Sequence, residues 1–282
     1  MQSENIIINS IKDSFISIWK HKSLFLLLLI LQIIFFAAFS YVSWTYQKRI
    51  LENAKSIIDY LEQQQLDDAS FVSNLMQQKN ILGDDPLLIS RHFNEIVKNF
   101  RLYLMYFFIL LALSTAISWT MTFRMINKKI NKKKFSYVKI FFQMVIVLLF
   151  YLGLIFSFFY LLFNISLTEI AQGTELLKRY IPFLPISSAL VYFMFISMSL
   201  VYSTELKRIV QKTLVIGIKK IHYVLAAYVI NILIFGISIY LLYYFIEGNL
   251  LILLLSVMLM AFSFVFGRIL MVNVVDRLKK IV

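Results

Sequence analysis

Apolar residues are gathered into six long runs, at about 23–45, 103–123, 140–163, 181–201, 223–245 and 250–271, and none of these contains Asp, Glu or Lys. A helix of about 20 apolar residues spans the hydrocarbon core of a bilayer, and a soluble core rarely needs such lengths. Membrane β-barrels show short alternating segments instead. The pattern therefore predicts an all-α, polytopic integral membrane bundle of six transmembrane helices.

Outside the runs the pattern changes to amphipathic helical spacing. "IKDSFISIWKHK", "INKKKFSYVK" and "VQKTLVIGIKKIH" precede the first, third and fifth spans. Ile11, Phe15, Ile18 and Trp19 share one helical face in the first, as do Val210, Leu214, Ile218 and Ile221 in the third. Such helices lie in the membrane interface with their basic residues toward the headgroups. The coarse unit, an interfacial helix followed by a transmembrane hairpin, then occurs three times. Aligning Lys20, Lys139 and Lys219 puts Gln32, Tyr151 and Asn231 at equal depth.

Residues 46–102 form the one sizeable segment outside the bilayer. Ile50, Ala54, Ile57, Ile58 and Leu61 continue the first span outward as an amphipathic helix, and a second short helix is expected over Phe71 to Gln78. "GDDP" then breaks the chain. Asp85 suits an N-cap and Pro86 the first helical position, so a new helix should start there and run into the second span.

Charge sets the direction of threading. "RMINKKINKKKF", residues 124–135, holds six basic residues and no acid. The N-terminal segment, the connectors 124–139 and 202–222, and the end of the chain from Arg268 together carry 19 basic and 4 acidic residues. The other three connectors carry 9 basic and 11 acidic. Lys and Arg mark the cytoplasmic side. Both termini are therefore expected in the cytoplasm, in the cell (cytoplasmic) membrane, and the Lys run holds its connector inside. The chain divides into a cytoplasmic amphipathic segment 1–22, a first span 23–45 read as a retained signal anchor, and an extracytoplasmic helical segment 46–102. Spans two to six follow over 103–271, then a cytoplasmic tail 272–282. Lys128, Lys129, Lys132 and Lys133 would share one helix face and are candidate contacts for anionic lipid. A basic cluster alone does not indicate nucleic acid, and none is expected as a partner.

Composition agrees with the class. Of 282 residues, 60% are apolar and only 15% charged, against roughly 25% charged in soluble domains. There is no cysteine, so no disulfide and no thiolate chemistry. The three histidines, His21, His92 and His222, form no metal-binding pair, and no nucleophile elbow or phosphate-binding loop occurs. No cofactor and no catalytic or metal site is expected. Seven glycines and three prolines are few for the broken helices of transporters; Pro182 and Pro185 mark one turn, in the fourth span, that could unwind. Arg268, near the inner end of the sixth span, is expected to reach out to the headgroups.

The polar residues within the spans read as packing groups. Gln32, Tyr151 and Asn231 are candidates for bonding between helices. Stripes of small and hydroxylated residues, Ser114–Ser118–Thr122, Ala227–Asn231–Ser238 and Ser256–Ser263–Gly267, should let helices approach and bond across their interfaces. The function that best fits is a non-enzymatic scaffold or accessory subunit that binds the bilayer and other membrane proteins. The alternative is a permease-like transporter subunit working with a separate ATPase. An enzyme acting on lipid is the weakest of the three, because no acid cluster or His–acid pair supports it.

Overall fold

The computed structural model describes residues 6–63, 86–126, 137–162, 181, 183–245 and 250–281. All regular structure among these is helical: α1 (Ile6–Lys20), α2 (Lys22–Gln63), α3 (Pro86–Ile126), α4 (Tyr137–Leu162), α5 (Phe183–Leu200), α6 (Leu206–Lys219), α7 (Ile221–Tyr244) and α8 (Leu250–Lys279). Five are long and apolar enough to cross a membrane: Lys22–Tyr60, Leu87–Ile126, Tyr137–Ser157, Ile221–Tyr244 and Leu250–Lys279. Leu184–Leu200, in α5, is apolar but shorter. The chain is an all-α protein of multi-pass membrane character.

α2 has 42 residues and α3 has 41. At 1.5 Å per residue each is about 60 Å long, roughly twice the hydrocarbon thickness of a bilayer. Each therefore continues without a break from an apolar half into a half bearing Lys, Arg, Glu and Asn. α3 begins at Pro86, whose missing N–H costs nothing in a first turn. Pro185 likewise falls within the first turn of α5, and that helix is intact from Phe183. The short helix expected over Phe71 to Gln78 and the N-cap Asp85 lie outside the described residues.

The chain forms two compact units, residues 35–111 and residues 1–34 with 112–282. In the smaller unit α2 and α3 pair antiparallel: Phe39 meets Phe107 (ring centroids 5.2 Å), Ser43 Oγ meets the Tyr103 hydroxyl (3.3 Å), and Asn53 Oδ1 meets His92 Nδ1 (2.7 Å). The pairing passes from aromatic to polar along the hairpin. Among the described residues its ion pairs, Lys48–Glu52 and Lys98–Glu95, are exposed i,i+4 and i,i+3 contacts, which contribute little.

The larger unit is built around α8. Its C-terminal half is buried on every side: Ile269, Leu270, Met271, Val272, Val274, Val275 and Leu278 are all inaccessible or nearly so. α7, α5, α6 and α1 pack against it. Val265 and Ile269 also form a cluster with Leu28 of α2 and Met125 of α3. The N-terminal half is different: Leu250, Leu251, Leu254 and Leu255 are exposed. One apolar helix thus has a packed half and a half that only a membrane or a partner can cover.

α6 turns its most apolar edge away from this core, whereas the apolar face of α1 is divided: Ile18 packs on the Leu28 cluster and Phe15 lies against Phe266 of α8, ring centroids 5.2 Å apart. α1 buries Ile6, Ser10 and Ser14, while Phe15 and Trp19 are 54% and 73% exposed. α6 buries Ile209, Thr213, Ile216 and Gly217 and leaves Val210, Leu214 and Ile218 exposed. Polar anchors hold α1 in place. Arg277 of α8 pairs with Asp13, and Asn273 Nδ2 donates to Ser14 Oγ at 2.9 Å.

Candidate functional site

Lys128, Lys129, Lys132 and Lys133 lie outside the described residues. The other three candidates, Gln32, Tyr151 and Asn231, all fall in the larger unit, and each has its own polar neighbourhood.

Gln32 sits on α2, 8% exposed. Its Oε1 accepts from Arg268 Nη2 of α8 at 3.2 Å. Arg268 therefore turns into the bundle, and the expectation that it reaches out to headgroups is corrected. The cause is geometric. The side chain leaves a helix half that is covered on all sides, and a carboxamide oxygen within reach replaces water for a charged donor. Arg268 Nε is buried and has no hydrogen-bond partner among the described residues.

Tyr151 of α4 belongs to a chain of three hydroxyls. Its OH lies 2.8 Å from Ser197 Oγ of α5, which lies 2.9 Å from Thr213 Oγ1 of α6. All three residues are buried. A hydroxyl both donates and accepts, so the middle serine can satisfy its two neighbours together. Nearby, the Tyr192 hydroxyl donates to the Gly217 carbonyl at 2.9 Å, and the Tyr228 hydroxyl to the Tyr192 carbonyl at 3.2 Å. Gly217 has a second use. A methyl group there would stand 2.7 Å from the Phe193 ring and 3.2 Å from Ile196, so the missing side chain is what lets α5 and α6 approach.

Asn231 of α7 meets Gly267 of α8. Its Nδ2 donates to the Gly267 carbonyl at 3.4 Å, a long bond. A methyl on Gly267 would stand 3.0 Å from the Asn231 carboxamide. Asn231 Oδ1 is buried without a partner among the described residues.

The hydroxyl stripes act through size more than through bonding across interfaces. Thr122, Ser238 and Ser256 each donate to the carbonyl four residues earlier in their own helix, and Ser263 to the carbonyl three earlier. The expectation of interhelical bonds from these residues is corrected. In an apolar medium the nearest acceptor is the helix's own backbone, and the short side chain then lets a neighbouring helix come close.

At the basic end of the unit, Tyr202 packs against Phe123 with ring centroids 4.8 Å apart and ring planes tilted by 36°. Burial, and then the neighbouring Asp276 carboxylate, push the Tyr202 hydroxyl well above its usual pKa, so it stays a donor. Lys279 Nζ donates to the Ser203 carbonyl at 2.6 Å. These contacts tie the α5–α6 turn to the last turn of α8. Among the described residues no three His, Asp or Glu side chains gather where they could hold a metal ion.

Comparison with protein-family models, with curated proteins and with solved structures gives no match for this chain.

Proposed function

We propose that the chain is a non-enzymatic scaffold or accessory subunit of the cytoplasmic membrane, crossing it six times with both termini in the cytoplasm and binding other membrane proteins. One observation carries this reading. Most polar side chains described in the spans are engaged within the chain itself, some between helices, as in Gln32–Arg268, Tyr151–Ser197–Thr213 and Asn231–Gly267, and others with the backbone of their own helix, while broad apolar faces are left uncovered. Ile232 and Leu233 of α7 and the N-terminal leucines of α8 are mostly exposed. A solute pathway would need polar groups along its length to replace water. The threefold plan of interfacial helix and hairpin is part of the proposal. α1 and α6, each leading into a long apolar helix, support two of its units, and the connector 127–136 of the third lies outside the described residues.

The test is photo-crosslinking in living cells from Ile232 or Leu254. A discrete protein adduct of constant mass is expected, and recovery of lipid adducts alone would overturn the scaffold role. A second reading, the permease-like subunit, is favoured by Arg268, because a charged group within a span commonly marks a solute path. It predicts solute flux through proteoliposomes that Arg268→Met abolishes.

The orientation has its own check. Single cysteines replacing Lys132, Lys212 and Lys279 should be shielded from an impermeant thiol reagent in intact cells, and one replacing Gln64 should label. Labelling at Lys132 from outside would reverse the topology.

A further inference from the structure

α6 and the last turn of α8 border an open cavity of about 530 Å³, lined by Arg208, Gln211, Lys212, Val215, Ile216 and Lys279. Arg208, Gln211, Lys212 and Val215 recur at three- and four-residue spacing, so α6 presents them together. Lys279 comes from the opposite side, held by its bond to the Ser203 carbonyl. The lining therefore has three cations, one carboxamide and two apolar side chains, and no carboxylate.

Among the described residues none of the three cations forms an ion pair, although Lys212 and Lys279 are near enough to repel each other. Asp276 acts on Lys279 from one turn away, but it is also shared with Tyr202 and with Lys280, at 3.8 Å. Like charges held around a cavity raise the energy of the empty site, and a bound anion reverses the sign of that interaction. Arg offers a planar fork that matches two phosphate oxygens, and each Lys adds a compact charge. The apolar features choose between a free and a lipid-borne phosphate. Val215 and Ile216 line the apolar side of the cavity, and the exposed edge of Val210, Leu214 and Ile218 runs along the same helix about a third of a turn away, outside the cavity itself. That edge is suited to an acyl chain and is of no use to a water-soluble anion.

We propose that this cavity binds the phosphate group of an anionic phospholipid, with Arg208, Lys212 and Lys279 around the headgroup and the apolar edge of α6 along the acyl chain. The site needs the chain to sit in a bilayer, and it is independent of whether the chain is a scaffold or a permease subunit.

The test uses the full chain in nanodiscs of phosphatidylcholine mixed with phosphatidylglycerol, with native mass spectrometry counting retained lipid. Wild type should keep one phosphatidylglycerol through delipidation and melt at a higher temperature than in phosphatidylcholine alone. Arg208→Gln, Lys212→Gln and Lys279→Met should each weaken retention about fivefold, the effect of removing one cation near an anionic headgroup. Arg208 is exposed, so its variant should fold normally and report on binding even if the Lys279 variant does not. Millimolar inorganic phosphate or glycerol phosphate should fail to displace the lipid. Full displacement by either would overturn the lipid assignment. Equal retention by wild type and Arg208→Gln, with equal melting in phosphatidylcholine, would overturn the site.

Discussion

Gln32→Leu should lower the stability of the purified protein by about 2–3 kcal/mol, the effect of removing a hydrogen-bond acceptor from a charged, buried donor. Arg268 donates to Gln32 Oε1 at 3.2 Å, and its Nε has no other partner among the described residues. After the change the guanidinium would lose that acceptor in a medium where water cannot easily replace it. Arg268→Met should behave differently. It removes the charge with its desolvation cost but leaves the buried Gln32 Oε1 without its donor, so a smaller loss, of about 1 kcal/mol, is expected. Thermal melting of both single variants and of Gln32→Leu/Arg268→Met checks this, and the double variant should regain most of the loss. If the double variant melts as low as Gln32→Leu, the two residues are not energetically coupled.

Ser197→Ala should cost about 2–4 kcal/mol, more than either Tyr151→Phe or Thr213→Val. The serine hydroxyl sits between Tyr151 and Thr213 at 2.8 and 2.9 Å. Its removal leaves two buried hydroxyls short of a partner, each worth about 1–3 kcal/mol. Tyr151→Phe leaves Ser197 still bonded to Thr213, so about 1 kcal/mol is expected. The order Ser197→Ala above Tyr151→Phe in destabilisation, read by denaturation in detergent, tests the chain of three. Equal losses would mean that Ser197 does not act as the bridge between the two other hydroxyls.

Both predictions rest on contacts between residues far apart in sequence. Gln32 and Arg268 are separated by 236 positions, and Tyr151 and Ser197 by 46. Gln32 and Tyr151 stand out in the sequence because a polar group inside an apolar run needs a partner. The identity of that partner depends on which helices are neighbours, and nothing local encodes it. Arg268 is the sharper case. Its place near a span end suggested an outward reach, whereas the surrounding helices enclose it. Nothing in the sequence distinguishes Ser197, since a serine in an apolar helix most often bonds its own backbone, as Ser238 and Ser256 do.

The all-α membrane class was legible because it follows from local physics. About 20 apolar residues without an interior carboxylate or lysine must satisfy their backbone bonds within the segment, which makes them helical. The faces of α1 and α6 were legible as stripes but not as directions. In water an apolar stripe points inward because burial is what stabilises it. In a bilayer the surroundings are as apolar as the core, so the hydrophobic pattern no longer says which side meets the protein. Tertiary structure decided it. Ser10 and Ser14 on α1, and Thr213 and Gly217 on α6, are small enough to let those helices settle against the bundle, and Trp19, Val210 and Leu214 are left to the outside.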